Sequence, residues 1–151
     1  YCTKNAIHSP TYGGCTVTPY WHNFQNFALW YTNHSFNYQG YQLDKDILQD
    51  GNMVYSPEYC TLVPQVINSV FRDFKNSIRS DELPVGVART KSGNYKATAY
   101  GAHLGTYDSL KDAEHMVLNH KQFNLLSIAE QYKYTVDVRV YYALYALAHT
   151  L

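Results

Sequence analysis

Side chains suited to chemistry gather in two places along this chain. Between Val85 and Leu104 the only charged residues are Arg89, Lys91 and Lys96, so this segment carries three positive charges and no acid. Basic residues in such a patch contact phosphates, while Thr98, Tyr100 and His103 in the same stretch can reach base edges. An ordinary solvated sheet face accommodates the same residues. Upstream, Asp44-Lys45-Asp46 sets two carboxylates around one ammonium. Taken alone, such a triplet reads as a solvated strand end.

The remaining reactive types are scattered. His115 and His120 stand five apart, which is not the one-turn spacing of a two-histidine metal site. His22 and His34 sit in an aromatic section, where a histidine is most often a hydrogen-bonded surface or core residue. Cys2, Cys15 and Cys60 include no C-x-x-C pair, so they make a weak case for zinc.

The whole composition narrows the function classes. A length of 151 residues predicts one domain, or two small ones sharing a core. Hydrophobic residues at 46% and charged residues at 16% suffice for a packed core and exclude a disordered chain. The formal net charge is zero, which excludes a protein that coats nucleic acid by bulk charge but leaves room for a local basic face. No stretch approaches the roughly 18 apolar residues that span a bilayer, so no membrane partner is expected. Three cysteines predict a reduced, intracellular setting rather than a disulfide framework. Sixteen Tyr, six Phe and two Trp predict a small core bulked out with aromatics. A start at Tyr1 without Met or signal-peptide pattern leads us to expect an upstream segment that is missing or removed.

Three sections must position these residues. In the first, Trp21, Phe24, Phe27, Ala28 and Tyr31 recur at helical spacing behind Pro19, predicting a short helix whose aromatic stripe is core. The second carries a strand near Tyr41–Leu48 and a turn at Gly51-Asn52. Met53–Tyr55 is then available to pair back, Tyr59–Val63 forms a short apolar strand, and a helix runs from Pro64 to Lys75. That helix sets Val66, Ile67, Val70, Phe71 and Phe74 on one face. The third has a strand at Val85–Lys91 and a turn at Ser92-Gly93-Asn94. A cleanly alternating strand, Tyr95–Tyr100, follows, with Lys96, Thr98 and Tyr100 opposite Tyr95, Ala97 and Ala99. Gly101 turns the chain into Ala102–Tyr107. Ser109 then caps a long helix with Leu110, Ala113, Met116, Val117, His120 and Phe123 at helical spacing. This predicts a three-stranded antiparallel meander under one helix, followed by a last helix at Val136–Leu147 with Val140, Leu144 and Leu147 on one stripe.

The third section resembles a known family. Gly86-Val87, Ser92-Gly93-Asn94-Tyr95-Lys96-Ala97, Leu104-Gly105-Thr106-Tyr107 and Ser109 through Ala113 follow the order and spacing of the AP2 DNA-binding domain. That resemblance covers about 45 residues and implies a sheet whose exposed face lies in the DNA major groove. Ala88 and Thr90 stand where such domains usually place arginines, which weakens base-specific readout more than phosphate binding.

The second section resembles the HNH, or ββα-metal, homing endonucleases of bacteriophages. The matching residues are Leu43-Asp44-Lys45-Asp46, Gly51-Asn52, Tyr55-Ser56-Pro57-Glu58, Cys60 and Val63-Pro64-Gln65-Val66-Ile67-Asn68. The aromatic run from Tyr20 to Phe27 is similar to the helix that precedes this motif in phage relatives. The resemblance implies metal-dependent DNA strand cleavage, with Asp44 and Asp46 holding Mg²⁺ or Mn²⁺ and with Lys45 and Asn68 at the catalytic positions. Lys45 replaces the family's histidine base, and Tyr59 replaces a metal-binding asparagine. The expectation is therefore an α+β protein in three parts. These are an HNH-like ββα region over 1–80, an AP2-like domain over 81–132 and a C-terminal helix over 133–151. It binds double-stranded DNA with no small-molecule cofactor, and the phage resemblance implies the cytoplasm of an infected bacterial host. The alternative is a catalytically inactive DNA-binding or protein-binding module derived from such an endonuclease.

Overall fold

The computed structural model describes residues 14–75 and 83–151. The protein is α+β, with seven short strands and five helices among the described residues. The polar opening stretch with Pro10 and Gly13, Cys2 and the side chain of Phe74 lie outside what is described. The chain divides into two compact units. One runs to Ser69 and takes in Tyr134–Val140, and the other comprises Val70–Lys133 and Tyr141–Leu151. The C-terminal section is thus shared between the two units rather than standing as a third part.

In the first unit, β1 (Thr16–Val17) leads through Pro19 into α1 (Pro19–His22) and α2 (Phe24–Asn33). The expected single aromatic helix is broken at Asn23, whose backbone is extended (φ −82°, ψ 113°) and whose Oδ1 accepts from the Gln25 amide at 3.0 Å. An asparagine side chain competes with the helix for its own backbone and serves better as a cap. The break resets the helical phase. Trp21 is buried, with its ring 5.1 Å from Phe27 and 4.8 Å from Trp30, but Phe24 is 69% exposed and not core.

β2 (Gln42–Asp44) pairs antiparallel with β4 (Thr61–Val63), placing Gln42 opposite Val63 and Asp44 opposite Thr61. β3 (Val54–Tyr55) does not pair back onto β2; it runs parallel to β1, with Thr16 opposite Val54. α3 (Gln65–Lys75) follows β4, so strand, strand and helix occur in the expected order. Ile67 and Val70 are buried on α3, whereas Val66 is exposed.

The second unit holds the meander β5 (Val87–Arg89), β6 (Tyr95–Ala99) and β7 (Ala102–Tyr107), in that spatial order and antiparallel. Helix α4 (Leu110–Tyr132) covers one face, and Ser109 Oγ accepts from the Asp112 amide at its start. Val87, Ala97 and Ala99 of the sheet pack with Ala113 and Val117 of α4. The small side chains let helix and sheet approach closely. Gly86 takes this furthest: at φ +91° its absent Cβ would lie 2.5 Å from the Thr98 carbonyl oxygen and 2.9 Å from Val117 Cγ1. Met116 and Phe123 turn away from this core, and Phe123 is 71% exposed. α5 (Val138–Ala148) begins two residues later than expected because Asp137 Oδ1 takes the Arg139 amide at 2.8 Å. Val140 and Leu144 are buried on it, and the stripe closes on Ala148. Glu130 Oε1 on α4 accepts from the Tyr141 and Tyr145 hydroxyls at 2.7 and 2.8 Å.

Candidate functional site

The β5–β6–β7 sheet has one face filled by α4 and one face open. Registers sort its side chains. Ala88, Lys96 and Thr106 stand opposite one another across three strands, and all three are exposed. Thr98 stands opposite His103 in the next row, after a register shift that passes over Leu104 and lets Leu104 pack toward the helix. The Thr98 hydroxyl donates to the Gly86 carbonyl at 3.2 Å, leaving its oxygen as an acceptor. Lys91 lies at the tip of the β5–β6 turn and is exposed. That turn is built by local polar residues: the Thr90 amide and Oγ1 both donate to the Asn94 carbonyl, and Gly93 takes φ +94°.

Two of the residues expected on this face lie elsewhere. Arg89 shares the helix side with Val87 and Tyr95. Its guanidinium donates to Tyr95 Oη at 2.8 Å and lies 5.3 Å from that ring's centroid. Tyr100 follows the end of β6 in a left-handed conformation (φ +49°), which breaks the strand alternation. Its ring meets His120 of α4 at 6.3 Å. Burial raises the Tyr100 hydroxyl above the usual tyrosine range, against the pull of a hydrogen bond with Asn124. Thr106 is the member of the open face that sequence reasoning passed over. Its signal was the alternation along Leu104-Gly105-Thr106-Tyr107, legible only with the register in hand.

In the first unit, the Asp44 cluster forms a turn after β2. Asp44 Oδ1 accepts from the Asp46 and Ile47 amides, both at 2.7 Å, which folds the chain back on itself. Lys45 turns inward: it is buried, and Nζ donates to Asp46 Oδ1 at 2.7 Å and to the Asn52 carbonyl at 2.6 Å. The Asn52 side chain closes the loop, its Nδ2 donating to the Lys45 and Val54 carbonyls. Burial disfavours the Lys45 ammonium, but the hydrogen bond and charge of Asp46, with Cys15 and Asp44, outweigh it and hold its pKa above the ordinary lysine value. A base must shed its proton near neutral pH, and this arrangement does the reverse. Asn68 Nδ2 donates to Gln42 Oε1 at 2.9 Å, which ties α3 to the start of β2. Gln42 and Asp44 are two residues apart on one strand face, so Asn68 is bonded about 7 Å along β2 from Asp44.

A divalent cation fits this donor set poorly as it stands. Asp46 is already neutralised by an ammonium, and one oxygen of Asp44 is committed to two amides. Among the described residues no three His, Cys, Asp or Glu side chains are grouped to hold a metal ion. Thr61, opposite Asp44, is fully buried with no hydrogen-bond partner for its hydroxyl. His22 and His34 have local tasks: His22 Nε2 bonds the Val17 carbonyl oxygen, and His34 Nδ1 accepts from the Phe36 amide. Cys60 is buried, and burial pushes its thiol up to about 11.

Among the described residues no helix is long and apolar enough to cross a membrane. Comparison with protein-family models, curated proteins and solved structures returned no match to this chain.

Proposed function

We propose that this protein binds double-stranded DNA, seating the open face of β5–β6–β7 in the major groove. One observation carries the reading. The sheet is filled on one side by α4 and open on the other, where Lys96, Thr106 and His103 are exposed, with Lys91 at the tip. A twisted ribbon of this kind fits the major groove, whose phosphates attract the lysines. No acid lies between Val85 and Leu104 to oppose them. Ala88 offers a base edge no hydrogen bond, so binding rests more on phosphates than on readout. The β2–β4–α3 region serves in this reading as a scaffold, because Lys45 is spent inside its own loop. The phage resemblance would place the duplex in a bacterial host's cytoplasm.

Fluorescence anisotropy with a labelled duplex tests this. Lys96→Glu should weaken binding by about tenfold, while Lys111→Glu, the same charge change on the helix side, leaves it nearly unaltered. Equal losses in the two variants would contradict the assignment of the face. The same preparation should leave supercoiled plasmid intact with Mg²⁺ or Mn²⁺. Nicking that disappears in Asp44→Ala would instead make the protein a metal-dependent endonuclease.

A further inference from the structure

In the first unit, a cavity of about 440 Å³ opens beside α2. We propose that it is a nucleobase-binding pocket. Its walls include Tyr20, Trp30 and Phe36, and its polar lining includes Asn33, His34 and Asp137. The volume lies within the range of small-ligand pockets. Aromatic walls stack on any base, because every base has a π-face.

The polar groups define the ligand further. His34 Nδ1 accepts from the Phe36 amide at 3.2 Å, so the ring's hydrogen sits on Nε2, a donor. Trp30 crosses this ring edge-on at 4.8 Å and fixes its plane. Asn33 adds an amide with both donors and an acceptor. Asp137 would suit a cation, but Arg139 already grips both of its oxygens, with contacts from 2.7 to 3.2 Å. Arg139 is held in turn by the Glu58 carbonyl at 3.1 Å. The carboxylate is therefore neutralised, and its oxygens act as acceptors rather than as a bare charge. An aromatic lining with a compensated acid favours a neutral planar ligand with a mixed donor and acceptor edge. A purely apolar guest would leave that edge unpaired. A nucleobase has both features, whether free in a nucleoside or unpaired in a strand. This site goes beyond the sheet's reading of duplex DNA, since paired bases hide their faces.

Titration of the full chain, followed by tryptophan fluorescence and calorimetry, tests the pocket. The probes are the four deoxynucleosides, unpaired homopolymer oligonucleotides and tetramethylammonium. We expect saturable quenching by a nucleoside or by an oligonucleotide. If oligonucleotides saturate where nucleosides do not, the base is supplied by a strand; if both saturate, a free nucleoside suffices. Trp30→Leu should weaken binding by roughly tenfold. Asn33→Ala, an exposed change that spares the fold, should weaken it several-fold. Lys96→Glu should leave the binding of nucleosides, which carry no phosphate, unchanged, which separates this site from the sheet. Absence of quenching by any base up to millimolar concentration would overturn the proposal. So would equal binding by Asn33→Ala and wild type, or tighter binding of tetramethylammonium than of any base.

Discussion

Within the first unit the polar ends of Lys45 and His34 are committed to hydrogen bonds, whereas the Thr61 hydroxyl is not. Lys45→Met keeps the alkyl volume but orphans the Asn52 carbonyl, so it should cost about 1–3 kcal/mol in urea unfolding. Duplex affinity should not change with it. Thr61→Val should act in the opposite sense. It replaces a buried, unpartnered hydroxyl with a methyl and should raise stability by about 1 kcal/mol, measured as a higher unfolding midpoint. His34 makes stability depend on pH. Burial lowers its pKa, Asp137 opposes that, and Arg139 adds to it. The unfolded chain takes up a proton near pH 6.5, and the folded one only below that. The contribution is therefore fully present above about pH 6.5 and is lost as pH falls through the folded value. His34→Asn retains an acceptor for the Phe36 amide without titrating, so thermal midpoints measured from neutral to mildly acidic pH should flatten in that variant.

At the scale of elements, the meander was legible because local rules sufficed. Ala97 and Ala99 alternate with Lys96 and Thr98, glycine sits in the turn, and Ser109 caps the helix. Gly86 tests how that unit is packed. Gly86→Ala meets a left-handed φ, the Thr98 carbonyl and Val117 together. It should destabilise the protein by roughly 2–4 kcal/mol, read from denaturant unfolding. Harder to read were features that hydrophobic spacing does not carry. The β1–β3 pairing joins two-residue strands, too short to carry a period. The break at Asn23 pits one side-chain cap against strong helical spacing, and it moved Phe24 from core to surface. The inward turn of Lys45 depends on the carbonyl of Asn52, seven residues on. The candidate face was legible at Lys96, Thr98 and His103. Tyr100 and Arg89 left it because a positive φ and a neighbouring tyrosine hydroxyl outweighed simple alternation.

For the molecule as a whole, a net charge of zero makes the location of charge decisive. On the proposed reading, binding to DNA would come from a local patch, and such binding weakens with salt in proportion to the phosphates neutralised. In that reading Lys91 and Lys96 supply the patch, while Arg89 stays bonded to Tyr95 on the helix side. The most direct test is the slope of log affinity against log salt for a duplex. Replacing both lysines with Ala should flatten the slope by about two units, and Arg89→Ala should leave it unchanged. A double variant with the wild-type slope, or binding that ignores salt, would rule out these lysines as the phosphate contacts.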